Sequence, residues 1–127
     1  MKFLRAFKQD SGWIEINNFE VGYESLITSE YLPVAYRIID KFCYFRGVVL
    51  RSNTISAISN IAFRLTPEAI PDYRINTFGV EWQTNDTVLS RSAIRINNNG
   101  EFTIFTTQSA NLSVRRNISL DAVFYPI

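Results

Sequence analysis

The fold of this chain is decided most clearly by residues 34–51, which read VAYRIIDKFCYFRGVVLR. Two runs rich in β-branched and aromatic residues, Val34–Ile39 and Phe42–Arg51, flank the turn dipeptide Asp40–Lys41, and this pattern predicts two antiparallel strands. The second run is apolar at odd and even positions alike, which is typical of a strand covered on both faces. Gly47 in its middle predicts a bulge or a close approach by another backbone.

Further strand signals lie towards the C-terminus. The alternating segments Ile94–Ile96 and Phe102–Ile104 are separated by Asn97–Gly100. Because Asn and Gly tolerate positive φ angles, this pattern predicts a β-hairpin. A last strand is predicted from Ile118 to Tyr125, with Ile118, Leu120, Ala122 and Phe124 on one face, and Pro126 ends it.

Weaker strand signals fill the rest of the chain. Strands are predicted at Trp13–Ile16, Ala57–Leu65 and Thr77–Gln83, a loop is predicted at Thr66–Asp72 because of its two prolines, and residues 21–31 are expected to be irregular. Seven or eight short strands at regular spacing predict an all-β, antiparallel sandwich of jelly-roll type. Residues 1–32 lack this regularity and are interpreted as an N-terminal arm for docking, and residues 33–127 as the sandwich module.

The composition excludes several functional classes. The 127 residues include no histidine and a single cysteine, Cys43. The chain therefore has no imidazole base for a catalytic triad and too few ligands for a zinc site, and we predict neither enzymatic activity nor a metal or cofactor. The net charge of +1 argues against nucleic-acid binding. The sequence has no signal-peptide pattern and no apolar run long enough to predict membrane insertion.

Two groups of residues are candidates for ligand binding. Aromatic side chains with polar neighbours suit sugars, because a ring packs on apolar C–H groups while the neighbours bind hydroxyls. On this ground the candidates are Trp82 with Gln83 and Asn85, and Tyr73 with Arg74. The pair Arg115–Arg116 is a candidate for contact with a phosphate or an acidic glycan. The alternative for all of these residues is packing in the core or at an interface.

The order of these motifs resembles a module of phage tails, found at tail-fibre tips and in receptor-binding and minor structural proteins. The resemblance rests on the pairs Tyr36–Arg37 and Arg46–Gly47, on the segments 62–68 and 72–74, on the Asn/Gly hairpin at 93–104 and on the ending Ile118–Pro126. It covers about residues 33–127. Thr66, between Leu65 and Pro67, departs from the usual Leu-Pro turn, and Ile75 stands where the pattern has proline.

This resemblance implies a non-enzymatic β-sandwich in the virion, made in the cytoplasm of the bacterial host. It implies a homotrimer that binds a glycan on the host surface and docks onto another virion protein through residues 1–32. Two alternatives stay open: a purely structural accessory protein of the capsid or tail, and a free-standing carbohydrate-binding module.

Overall fold

The computed structural model describes residues 9–53, 59–83, 89–105 and 115–127. These ranges contain β-strands and one 3-10 turn at Pro67–Ala69, without an α-helix, so the predicted all-β class is confirmed. The strands are β1 (Asp10–Glu15), β2 (Tyr23–Ser25), β3 (Ala35–Ile39), β4 (Phe42–Arg46), β5 (Val48–Arg51), β6 (Ser59–Arg64), β7 (Ile75–Gln83), β8 (Ser90–Ile96), β9 (Glu101–Phe105), β10 (Arg116–Ser119) and β11 (Phe124–Pro126).

The strands form two antiparallel sheets, as predicted. One sheet has four strands in the order β1-β3-β4-β11, and the other has seven in the order β2-β5-β10-β7-β8-β9-β6. The described ranges hold eleven strands rather than seven or eight, partly because two long runs each divide between the sheets. The predicted hairpins β3–β4 and β8–β9 both form.

The first division falls at Gly47, between β4 and β5. Its φ is 99°, in the region that favours glycine. A β-carbon there would lie 2.8 Å from the Cα of Val34, so no other residue fits without moving backbone. The predicted continuous strand Phe42–Arg51 is therefore two strands, and Gly47 is the corner at which the chain leaves one sheet for the other.

The second division faces the first. β10 pairs with β5 and β11 pairs with β4, so both chains bend together. Between β10 and β11, Val123 N–H donates to Leu120 O at 2.9 Å and closes a turn. This turn reverses the predicted alternation: Val123 and Tyr125 are buried, whereas Ala122 and Phe124 are exposed. The prediction of one continuous strand over residues 118–125 was wrong because periodicity does not register such a turn.

Residues 9–32 contribute to both sheets. β1 forms an edge of the four-stranded sheet, and β2 forms an edge of the seven-stranded sheet. Before β2, Phe19 bridges to Phe63 and Glu20 N–H donates to Ala62 O at 2.8 Å, on the opposite edge strand β6. The segment thus reaches both edges of the larger sheet and brings it near to a closed barrel. The docking role of residues 1–32 stays a prediction.

Aromatic side chains join the two sheets. Phe45, from the four-stranded sheet, contacts Phe102 of the seven-stranded sheet with ring centroids 5.2 Å apart. Phe102 in turn stacks on Phe63 at 4.3 Å. All three rings are buried, so their burial and ring contacts stabilise the packing of one layer on the other.

Two tyrosines fix the proline-containing loop against this core. The hydroxyl of Tyr36 donates to Glu68 Oε1 at 2.6 Å and lies 2.6 Å from Thr66 Oγ1. The hydroxyl of Tyr125 donates to Ala69 O at 2.8 Å. The rings are buried and the hydroxyls reach the loop, so each tyrosine serves the core and the loop together.

Two further findings apply to the described ranges. They contain no helix that is long and apolar enough to cross a membrane. They also contain no group of three acidic, cysteine or histidine side chains placed to hold a metal ion.

The corner at Gly47 gives a stability prediction. Gly47→Ala should lower the free energy of unfolding by more than about 3 kcal/mol, because it combines a left-handed φ with a backbone clash. The control is Gly12→Ala, where φ is 67° but a β-carbon meets nothing within 4 Å, so the loss should be only about 1–2 kcal/mol. Urea unfolding measures both. Equal losses would contradict the corner as the cause.

The buried tyrosine gives a pH prediction. Burial, and then the hydrogen bond to Glu68, raise the pKa of Tyr36 from 10.0 to about 12. Its contribution to stability is therefore complete below pH 10 and is lost as the pH rises from 10 towards 12. Thermal unfolding across this range should fall less steeply in Tyr36→Phe than in the wild type. Tyr73→Phe, at an 82% exposed position, should leave the slope unchanged, and an unchanged slope in both variants would refute the assignment.

Candidate functional site

The outer face of β7 carries apolar side chains into solvent. Gly79 and Glu81 of this strand point inward and are buried, so the alternating positions Asn76, Phe78 and Val80 point outward. Phe78 is 55% exposed and Val80 is 42% exposed. An apolar surface of this kind on a sheet marks a site of interaction.

A slot opens on this face where β7, β8 and β9 lie side by side. The strand register aligns Phe78, Ala93 and Phe105 in one row. Since neighbouring strands lie about 4.8 Å apart, the two rings rise about 10 Å from each other with only a methyl group between them. Asn76 and Arg95 complete the lining of this depression, whose volume is about 230 Å³. We call it the Phe78 slot.

Two arginines stand over the rings of the slot. The guanidinium carbon of Arg91 lies 5.4 Å from the centroid of Phe78, and that of Arg95 lies 5.4 Å from the centroid of Phe105. Both distances fit a cation–π contact. Arg95 also donates from Nε to Asn76 Oδ1 at 3.1 Å, which fixes its orientation.

The charge on this face is positive at the slot. Glu101 lies on the same face of β9, but it accepts a hydrogen bond from Asn99 and lies 4.0 Å from Arg64. No ion pair forms to Arg91 or Arg95 within the described residues. The slot therefore combines apolar walls with guanidinium donors, and its described residues include no pair of carboxylates for acid–base chemistry.

The predicted residue Trp82 lies on the same outer face, four residues along β7 from Phe78. Its ring is half-buried, and Tyr31 lies at a centroid distance of 6.2 Å. Gln83 occupies the opposite face and aligns with Arg116 of β10. Asn85 lies outside the described residues. Trp82 thus extends the face that contains the Phe78 slot, whereas Gln83 does not.

Arg115 and Arg116 are adjacent in sequence but differ in environment. Arg115 is exposed, whereas Arg116 is 3% exposed and places Nη1 3.3 Å from Glu81 Oε2. Glu81 is itself fully buried. The structure therefore gives Arg116 a role inside the seven-stranded sheet and leaves Arg115 available to a ligand.

The second predicted group lies elsewhere. Tyr73 is 82% exposed in the loop before β7, and Arg74 donates from Nε to Asn97 Oδ1 at 3.1 Å. The length of β7 separates this group from Trp82 by about 27 Å. The predicted residues consequently form two groups at opposite ends of one strand rather than one site.

Sequence reasoning missed the Phe78 slot itself. The available signal was the run of outward positions Phe78, Val80 and Trp82, together with Arg91 and Arg95 at period two on the next strand. The notebook of such alternation indicates an exposed apolar strip beside an exposed basic one. The row that joins Phe78 to Phe105 depends on strand register, which alternation alone does not supply.

Solved structures of phage receptor-binding proteins share this fold. The receptor-binding protein of Listeria phage PSA matches with a TM-score of 0.61 and 18% identity, over 98% of this chain and 68% of that one. The receptor-binding head domain of the lactococcal phage bIL170 matches with a TM-score of 0.62 and 16% identity, over 91% of this chain and 97% of that one. No family model and no curated protein matches the sequence. The predicted resemblance is thus confirmed at the level of the fold.

The contrast between the adjacent arginines can be tested directly. Arg116→Ala should lower the free energy of unfolding by about 3–5 kcal/mol, because it leaves the buried Glu81 carboxylate without this partner. Arg115→Ala is the matched control and should stay within about 0.5 kcal/mol of the wild type. Urea unfolding followed by fluorescence measures both. Similar stability of the two variants would contradict a structural role for Arg116.

Proposed function

We propose that this chain is a receptor-binding module of a bacteriophage virion, and that it recognises a saccharide of the host surface in the Phe78 slot. The observation that supports this most is the slot's position on a fold shared with phage receptor-binding domains. A sugar ring can pack its apolar C–H groups between Phe78 and Phe105. The module acts by adhesion, without chemical change to the ligand.

The polar rim of the slot supplies orientation. Asn76 and Arg95 stand at one end and Arg91 at the other, so hydroxyl groups of a bound sugar meet donors at both ends. Guanidinium groups stacked on a ring keep N–H edges free, and these edges suit an acidic substituent. Trp82 and the exposed Arg115 extend recognition towards the next unit of a polymer, and Tyr73 with Arg74 provides a separate, secondary contact.

We propose further that the module works as a homotrimer in the virion. A single shallow slot of about 230 Å³ encloses little of a ligand, so affinity for one site is weak and three linked sites multiply it. Residues 1–32 dock onto another virion protein. Since β1 and β2 belong to the sheets, this docking is tested by point substitutions on exposed residues rather than by deletion.

The binding proposal is tested by filling the slot. Ala93→Leu places a larger side chain between the two rings and should lower binding at least about tenfold, while leaving the circular dichroism spectrum unchanged. The measurement is binding of the purified protein to an array of bacterial surface polysaccharides. Ala122→Leu introduces the same side chain at an exposed turn remote from the slot and should bind like the wild type.

The outcomes separate the proposed function from its alternatives. Loss of binding in Ala93→Leu alone supports the slot. If Trp82→Ala loses binding but Ala93→Leu retains it, the site lies further along β7. If the wild type binds no bacterial polysaccharide, the proposal fails and a purely structural role in the particle is favoured.

A further inference from the structure

A row of large side chains crosses the outer face of the four-stranded sheet. The register aligns Trp13, Arg37, Tyr44 and Phe124, one from each strand. Tyr44 and Phe124 stack with centroids 6.0 Å apart, and Phe42 lies 6.4 Å from Tyr44. We call this surface the Tyr44 face.

The Tyr44 face is exposed to solvent within the described structure. Trp13, Phe42 and Tyr44 are 39%, 41% and 38% exposed, and Phe124 is 58% exposed. Four adjacent aromatic side chains with this exposure form an apolar patch that a soluble monomer rarely maintains without a partner. Aromatic residues and arginine are also the types that protein interfaces favour.

The charges on this face have both signs. Asp10 accepts hydrogen bonds from Arg37, one of them from Nε at 2.9 Å. Arg46 lies over the ring of Trp13 at 4.6 Å, and its Nε has no hydrogen-bond partner among the described residues. Glu15 aligns with Arg46 across the sheet but is exposed and forms no ion pair there. The face therefore offers one acid and one base whose partners remain to be supplied.

We infer that the Tyr44 face docks a second copy of this chain. When two copies of one surface meet, each residue contacts its counterpart reciprocally, so Glu15 of each copy can pair with Arg46 of the other. The slot on the opposite sheet presents only positive charge and would repel its own copy, whereas the Tyr44 face is complementary to itself. This inference rests on the proposed assembly of several copies and names the surface that joins them.

The dimensions of the face are sufficient for such an interface. Four strands of about five residues cover about 19 Å by 17 Å. Two apposed faces with protruding side chains bury on the order of 1,000 Å², the lower end of the range for specific interfaces. The association is accordingly expected to depend on concentration in the micromolar range.

The experiment is the mass of the purified full chain in solution, by light scattering coupled to size exclusion, from about 1 µM to about 1 mM. The wild type should form oligomers as the concentration rises. Tyr44→Asp and Phe124→Asp should each remain monomeric, because both place a charge in the centre of the interface. Val21→Asp makes the same kind of change at a 96% exposed position away from this face and should assemble like the wild type.

A charge exchange sharpens the test. Glu15→Arg and Arg46→Glu should each weaken assembly at least about tenfold, and the double variant should restore it, because the pair is re-formed with its charges reversed. A wild type that stays monomeric at every concentration, or assembly that persists in Tyr44→Asp and Phe124→Asp, would overturn the inference. Failure of the double variant to restore assembly would overturn the Glu15–Arg46 contact.

Polysaccharide binding separates this inference from the proposed function. The Tyr44-face variants retain the Phe78 slot, so each monomer should bind with the affinity of a single site and lose only the gain from multivalency. A monomeric wild type that binds polysaccharide would refute the interface and leave receptor binding in place. An oligomeric wild type that binds none would do the reverse.

Discussion

The structure depends most on the contact between Gly47 and the turn that follows β10. Gly47 N–H donates to Asp121 Oδ1 at 2.8 Å, and Gly47 O accepts from Leu120 N–H at 2.9 Å. These bonds hold two bent chains together at the point where each passes between the sheets. Without a β-carbon, Gly47 also lets the backbone of Val34 approach. The angle between the sheets, and hence the packing of Phe45 on the opposite layer, follows from this corner.

The corner also separates two surfaces of different chemistry. In a two-layer fold the outer faces of the sheets point in opposite directions. The face around Phe78 is concave and basic, which suits a ligand with hydroxyl or acidic groups. The Tyr44 face is broad and aromatic, with Glu15 and Arg46 both present, which suits a protein. A sandwich with this arrangement can bind a receptor on one side while it associates with its neighbours on the other.

The candidate site was only partly predictable from the sequence. Trp82 was identified from its polar neighbours, and it does lie on the face that contains the slot. Gln83 was selected for its proximity in sequence, but alternation sends it to the opposite face of β7. Arg116 was selected beside Arg115, but it pairs with Glu81 inside the sheet. Nearness along a strand therefore did not predict nearness in space, because successive side chains point to opposite faces.

The sequence by itself determined the strand-forming segments, the turns at Asp40–Lys41 and Asn97–Gly100, and the all-β class, because these depend on local propensity and period-two alternation. It also indicated that Gly47 was special. Only the tertiary structure decided that Gly47 is a corner between sheets and that Phe78, Ala93 and Phe105 lie in one row. Those features depend on which strands pair and in what register, and the pairing of strands distant in the chain is settled by packing of the whole core rather than by any local pattern.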